Sequence, residues 1–178
     1  VYSNGSFTKV FPMSDKTGAR VGQTLTDFAD DVGIPDTLVM DLAPEQAGKH
    51  TEMQTEARRL RVRIRYTEKG RSEQNHTAEG EIGQLKRRWK HQMTTENVPR
   101  CLWDYGLVHE AEVLSILARG KDQVPGLEKV LGQTIDISEY LDFGIWDLVW
   151  YWDQSKTSDM SNEQKKLGRW LGIAHHVG

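Results

Sequence analysis

The sequence predicts an α/β layer fold with a mixed sheet. Three observations carry the prediction: the order of the elements, an apolar spacing that switches between the periods of strand and helix, and the lack of nucleotide-binding glycine loops. Along the 178 residues the order is strand, strand, helix, strand, helix, strand, helix, helix, then a connector and a small β piece. The opening YSNGSFTKVFPM reads as a hairpin, with Asn4-Gly5 suited to a tight type I′ turn and Phe7, Val10 and Phe11 as strand residues. Residues 15–32 place Val21, Leu25, Phe28, Ala29 and Val32 on one face of an amphipathic helix, which Gly33 and Pro35 stop. Thr37–Met40 is long enough only for a buried strand, and it ends at Asp41. Residues 51–60 favour helix, and 62–66 alternate apolar and basic, as a strand with one covered face does. The clearest helix runs from Thr77 to Met93, with Ala78, Ile82, Leu85, Trp89 and Met93 as its core stripe. Pro99 opens another helical stretch to Arg119, whose apolar positions are Leu102, Trp103, Val108, Ala111, Leu114 and Leu117. Residues 120–142 read as an irregular connector, 145–152 as a strand, and LGRWLGIA as the start of a further strand.

Composition narrows the class. With 37% hydrophobic and 28% charged residues the chain is neither collagen-like nor disordered, and no apolar run nears the ~18 residues of a membrane span. The N-terminal VYSNGSFTKV lacks a signal peptide's basic flank and apolar core, and a start at Val rather than Met suggests a processed piece or a cut window. A single cysteine, Cys101, excludes a disulfide framework and a Cys-based zinc cluster, fits a reducing compartment, and reads as packing. His109 and the His175-His176 pair have no metal-ligand spacing and read as core or surface residues. Charge is uneven: residues 58–90 hold eleven Lys or Arg against four acids, a local net of +7 in a chain of net −3. Such a segment is a solvated basic face or a surface for a polyanion.

Two acids stand out by position. Asp41 lies at the carboxyl end of a predicted strand, where open α/β sheets place ligands. Glu79 lies in the first turn of the clearest helix, where a carboxylate also stabilises the macrodipole by about 0.3–1 kcal/mol without any ligand. At about 100° per residue, Glu79, Gly83, Lys86 and Lys90 share one face beside the apolar stripe. An acid followed by two lysines suits a cation and then a phosphodiester backbone, with Gly83 allowing close approach; the plain alternative is a solvated face with i,i+4 partners. Trp146, Trp150 and Trp152 share a strand face, either to stack bases or to fill a small β barrel.

Four segments carry a resemblance. FPMSDKTG leads through a helix to VGIPDTLVMDLAPEQ; SEQNHTAEGEIGQLKRRW looks like a QNGxAE signature entering a helix; VPRCLWDYGLVHEAEVL has a Pro-x-x-Leu-Trp start; and LGQTIDISEYLDFGIWDLVWYWD with KLGRWLGIAHHVG looks like the start of a β module. Together they resemble the catalytic core of copia-type retrotransposon integrases, an RNase H-like mixed sheet flanked by helices. The resemblance divides the chain into a partial core (1–120), a connector (121–142) and a truncated SH3-like β module (143–178).

What it implies is metal-dependent DNA 3′-end processing and strand transfer, by two aspartates and a glutamate that bind two Mg²⁺ (or Mn²⁺) ions. Asp41 matches the second aspartate and Glu79 the glutamate. Gln74, Asn75, Lys86 and Lys90 would position DNA, and Arg58, Arg59, Arg61, Arg63 and Arg65 would add attraction that salt weakens. The first aspartate has no match, because the family carries it on a strand before the opening hairpin; Asp15 follows the strands and is rejected. The chain is therefore expected to lack one metal ligand and a central strand, to leave an apolar gap or fold poorly alone, and to be inactive by itself. His76 stands where the family has glycine, and Leu42-Ala43 where Asn-Gly often follows the aspartate. The implied partners are element ends and target DNA, with a homo-oligomer in the intact parent, no membrane, and intracellular action in the nucleus. A catalytically dead nucleic-acid-binding remnant of a transposable element is the alternative, and a protein-interaction domain the third reading.

Overall fold

Residues 1–4, 6–41, 51–67, 76–119, 121–153 and 165–175 are described by a computed structural model, and among them the chain is a mixed α/β structure. The opening hairpin forms as β1 (Tyr2–Ser3) and β2 (Thr8–Lys9), antiparallel, with Tyr2 opposite Lys9 and Ser3 opposite Thr8. Beyond that register the Asn4 N–H donates to the Phe7 carbonyl (3.1 Å), so the closing pair is Asn4 and Phe7 rather than the Ser3 and Ser6 that an Asn4-Gly5 turn requires; Gly5 itself lies outside the described residues. The Asn4 side chain holds this closure: its oxygen accepts from the N–H groups of Ser6 (3.1 Å) and Phe7 (2.8 Å).

Helix α1 (Gly18–Asp31) starts where the Thr17 hydroxyl accepts from the Arg20 N–H, and it buries Leu25 completely. Strand β3 (Thr37–Met40) pairs in parallel with β4 (Arg63–Tyr66), Thr37 opposite Arg63 and Met40 opposite Tyr66. Between them α2 (Glu52–Arg59), capped by Thr51, supplies the crossover. Leu38, Met40 and Ile64 pack with Leu25, Met53, Ala57 and Val62 into one apolar cluster. Both helices cover the same face of the pair, so β3 is not the buried strand its apolar run predicts: Thr37 and Val39 are exposed beside Arg63 and Arg65.

The second half is built on α3 (His76–Thr95) and α4 (Trp103–Ile116), the latter entered through a 3₁₀ turn at Arg100–Leu102. Leu85, Ala111 and Leu114 close on Val10 of the hairpin. At the far end Trp89 and Val98 close on Ile145. The helices approach closely at Gly106, where a Cβ would overlap the Trp89 ring. Two apolar positions expected inside α4 lie outside: Trp103 and Leu117 are exposed, at the two ends where nothing described covers them.

This half also buries charge that the apolar stripe did not predict. Glu81 of α3 takes Arg119 Nη1 on both oxygens (3.2 and 3.1 Å), and the Thr8 hydroxyl donates to it (3.3 Å). Glu110 of α4 is almost fully buried, 2.5 Å from Arg88 Nε. The Ser115 hydroxyl accepts the Thr8 N–H at 2.9 Å and lies 2.9 Å from the Thr8 carbonyl, fastening β2 to α4.

The connector is more ordered than expected. It holds the pair β5 (Ala118–Arg119) and β6 (Val124–Pro125), then α5 (Gly126–Leu131) and α6 (Ser138–Asp142). Gly126 is required because a Cβ there would overlap the Ser6 carbonyl. Beyond it β7 (Leu148–Trp152) pairs antiparallel with β8 (Lys165–Arg169). β7 starts three residues later than the sequence predicts, because Gly144–Asp147 form a turn in which Trp146 adopts φ 72° and Gly144 N–H donates to Asp147 Oδ2 (2.8 Å). Trp146 is therefore not on the strand face of Trp150 and Trp152.

The hairpin and the β3–β4 pair form separate two-stranded sheets with no ladder between them among the described residues. Side chains join them to α1 instead. Tyr2 stacks on Phe28 with 4.8 Å between centroids and its hydroxyl meets the Thr24 hydroxyl at 3.0 Å, while Lys9 pairs with Asp31 at 2.6 Å. No described helix is long and apolar enough to cross a membrane.

Candidate nucleic-acid interface

Asp41 directly follows β3 and is exposed at the carboxyl end of the parallel pair. The ladder extends one step past the strands, where Thr67 N–H donates to the Met40 carbonyl (3.0 Å), and this places the Thr67 hydroxyl 2.8 Å from Asp41 Oδ1 as a donor. The carboxylate is thus oriented but open to solvent. Glu79 is exposed in the first turn of α3. Lys86 and Lys90 are exposed further along the helix, as the face arithmetic requires, while Glu81, Leu85 and Trp89 turn inward. Gly83 is half-buried, and a Cβ there would meet only Arg87 Nη1 at 3.7 Å, so nothing in the fold demands glycine. Gln74 and Asn75 lie outside the described residues, as do Leu42-Ala43, Lys69, Arg71 and His176.

The arginine cluster divides. Arg63 and Arg65 stand on the exposed face of β4, with Thr37 and Val39 as cross-strand neighbours. Arg58 and Arg59 end α2, where a cation favours the helix terminus. Arg59 is also engaged: its Nε donates to Glu56 Oε2 (2.6 Å), which holds the Glu56 carboxyl below its usual range, and its Nη2 lies 3.1 Å from the Thr26 hydroxyl. Arg61 occupies the turn into β4 with φ 61°. Of the wider basic segment, Arg88 is committed to Glu110. Among the described residues of this segment, Arg63 and Arg65 on β4 and Lys86 and Lys90 on the outer face of α3 present exposed positive charge.

The hard carboxylate oxygens of Asp41 and Glu79 are the donor type that Mg²⁺ or Mn²⁺ takes. Among the described residues, however, no three His, Cys, Asp or Glu side chains form a group able to hold a metal ion. The described donors do not amount to a two-ion centre, and no reaction step follows from them.

Trp150 and Trp152 are 70% and 60% exposed on one face of β7, beside Leu167 and Lys165 of β8. Lys165 Nζ sits 5.4 Å from the Trp152 ring centroid. In the described residues these rings line an open face rather than a barrel interior.

Sequence reasoning missed Glu81 and Glu110 as interior residues. Glu81 precedes Leu85 by one helical turn and Glu110 precedes Leu114 likewise, so each sits on an apolar stripe, and that spacing was the available signal.

No protein-family model and no curated protein matches the chain. Among solved structures, a chain from the cryoEM structure of the simian T-cell lymphotropic virus intasome in complex with PP2A regulatory subunit B56 gamma is similar to this one. The likeness covers 91% of this chain at a TM-score of 0.57 and 17% identity, and this chain spans 57% of that chain. At that identity the likeness is one of fold.

Proposed function

We propose that the chain is part of an integrase-type DNA strand-transfer protein of the copia class, with an RNase H-like core, and that its own contribution is to hold DNA and to supply two carboxylates, Asp41 and Glu79, to a Mg²⁺ or Mn²⁺ site. The observation that supports this most is the pairing of β3 and β4 in parallel, with Asp41 at its carboxyl end, in a fold shared with a chain from an intasome structure. The separation of the hairpin from that pair agrees with a sheet that takes a further strand between them. On this reading Arg63, Arg65, Lys86 and Lys90 contact phosphates without reading bases, and Gln74 and Asn75 position the DNA end.

The test is a Mg²⁺- or Mn²⁺-dependent strand-transfer assay on the chain extended upstream by an Asp-bearing strand. Asp41→Asn and Glu79→Gln should each abolish turnover while leaving DNA binding in place. Activity that survives both substitutions would remove these residues from the site.

The second reading, a nucleic-acid-binding remnant without chemistry, is favoured by the lack of a complete metal-holding group among the described residues. It predicts the same salt-sensitive DNA binding and no turnover in the extended chain.

A further inference from the structure

A cavity of about 420 Å³ opens between β2, the end of α1, α4 and α5, away from Asp41 and Glu79. Its size is that of small-molecule sites, and its walls mix polar groups with an apolar part that includes Val10, Val32, Val108 and Leu127. Five groups that titrate face it: Lys9, Asp31, Glu112, Tyr140 and His175. Lys9 and Asp31 neutralise each other at 2.6 Å. The Thr8 and Ser115 polar groups are occupied with one another. Glu112 is the remaining acid, and its partner is the His175 imidazole, which balances it only when protonated. Among the described residues its hydrogen bond is to His175 Nε2, at 2.9 Å from Oε1, which leaves Oε2 for another donor.

We propose that this cavity binds a small organic cation, a primary ammonium on a hydrocarbon body, with Glu112 as the counter-ion and the apolar walls holding the body. A carboxylate in an apolar pocket is poorly solvated, and an ammonium restores both its charge partner and its hydrogen bonds. Burial raises the Glu112 carboxyl above its usual range, with His175 and Lys9 opposing, so an arriving cation should displace a proton. Burial, with Glu112 and Glu139 nearby, pushes the Tyr140 phenol up to about 12, so it stays neutral and offers its ring edge and hydroxyl rather than a second charge. An anionic ligand would meet Glu112 with like charge and find Lys9 already paired.

The probe is phenethylammonium, with 2-phenylethanol as its neutral counterpart, titrated into the whole chain by calorimetry in two buffers and by amide chemical shifts. The amine should bind about tenfold or more tighter than the alcohol, release protons, and shift resonances of β2, α4 and α5. Glu112→Gln should erase the preference while the alcohol still binds, which shows the cavity intact. His175→Ala should tighten amine binding, because the imidazole no longer shares the carboxylate. Equal binding of amine and alcohol, a preference that survives Glu112→Gln, or shifts confined to other surfaces would overturn the proposal.

Discussion

The two halves of this molecule use charge in opposite ways. In the half made of α1, α2, β3 and β4, no charged side chain is buried among the described residues: Leu25, Met53, Ala57 and Val62 form the interior with Thr24 as its buried polar member, and Arg63 and Arg65 face solvent. In the half made of the hairpin, α3 and α4, two glutamates are buried and two arginines are drawn in to meet them. Arginine in this sequence therefore serves two ends. On β4 it creates an outward field, whereas at Arg88 and Arg119 it compensates interior carboxylates and is unavailable to a ligand.

That contrast is open to attack by substitution, most strongly at the interior pairs. Arg88→Ala leaves Glu110 buried without its cation and should cost about 3 kcal/mol or more in a denaturant titration, in the range for broken buried pairs. If the cost is near zero, Glu110 is better hydrated than its burial implies. Gly106→Ala drives a methyl into the Trp89 ring and should cost about 1–3 kcal/mol. Gly83→Ala on the outer face of α3 has room, and should instead gain about 0.5–1 kcal/mol from helix propensity. If Gly83 serves close approach of a DNA backbone, the same alanine weakens DNA binding while the fold becomes more stable.

Acid should act through the second half. Burial lowers the His109 pKa below its ordinary 6.5, with Glu110 opposing and Arg88 assisting. The unfolded chain then binds more protons than the folded one between the two values, so stability falls as pH drops through 6.5 and levels off below the folded value. His109→Gln should flatten that limb of the stability curve; a limb that persists belongs to another group. The smallest stability effect is expected outside: Arg63→Gln with Arg65→Gln should change unfolding by no more than about 0.5 kcal/mol.

Much of this arrangement was legible in the sequence, and the failures share a cause. α1 and α3, the positions of β3 and β4, and the outward Arg63 and Arg65 follow from hydrophobic period. Thr37–Met40 was misjudged as buried because an apolar run does not say how many faces are covered. Trp103 and Leu117 were misjudged because apolar periodicity continues past the point where a partner helix ends. Glu81 and Glu110 were missed because a charged residue on an apolar stripe reads as an exception until its partner, 38 or 22 residues away, is known. Of the candidate site, Asp41, Glu79, Lys86 and Lys90 are exposed. Trp146 left the expected aromatic face because a left-handed turn, invisible to strand periodicity, precedes β7.

The salt dependence of DNA affinity decides whether exposed positive charge on β4 and outer α3 serves a nucleic-acid backbone while Arg88 and Arg119, paired with buried glutamates, do not. The logarithm of the binding constant should fall steeply with the logarithm of salt concentration, and Arg63→Gln with Arg65→Gln should lower that slope by about 2. Arg88→Gln, measured under conditions where the chain stays folded, should leave the slope unchanged. A slope that ignores Arg63 and Arg65, or that falls with Arg88 instead, would contradict the account.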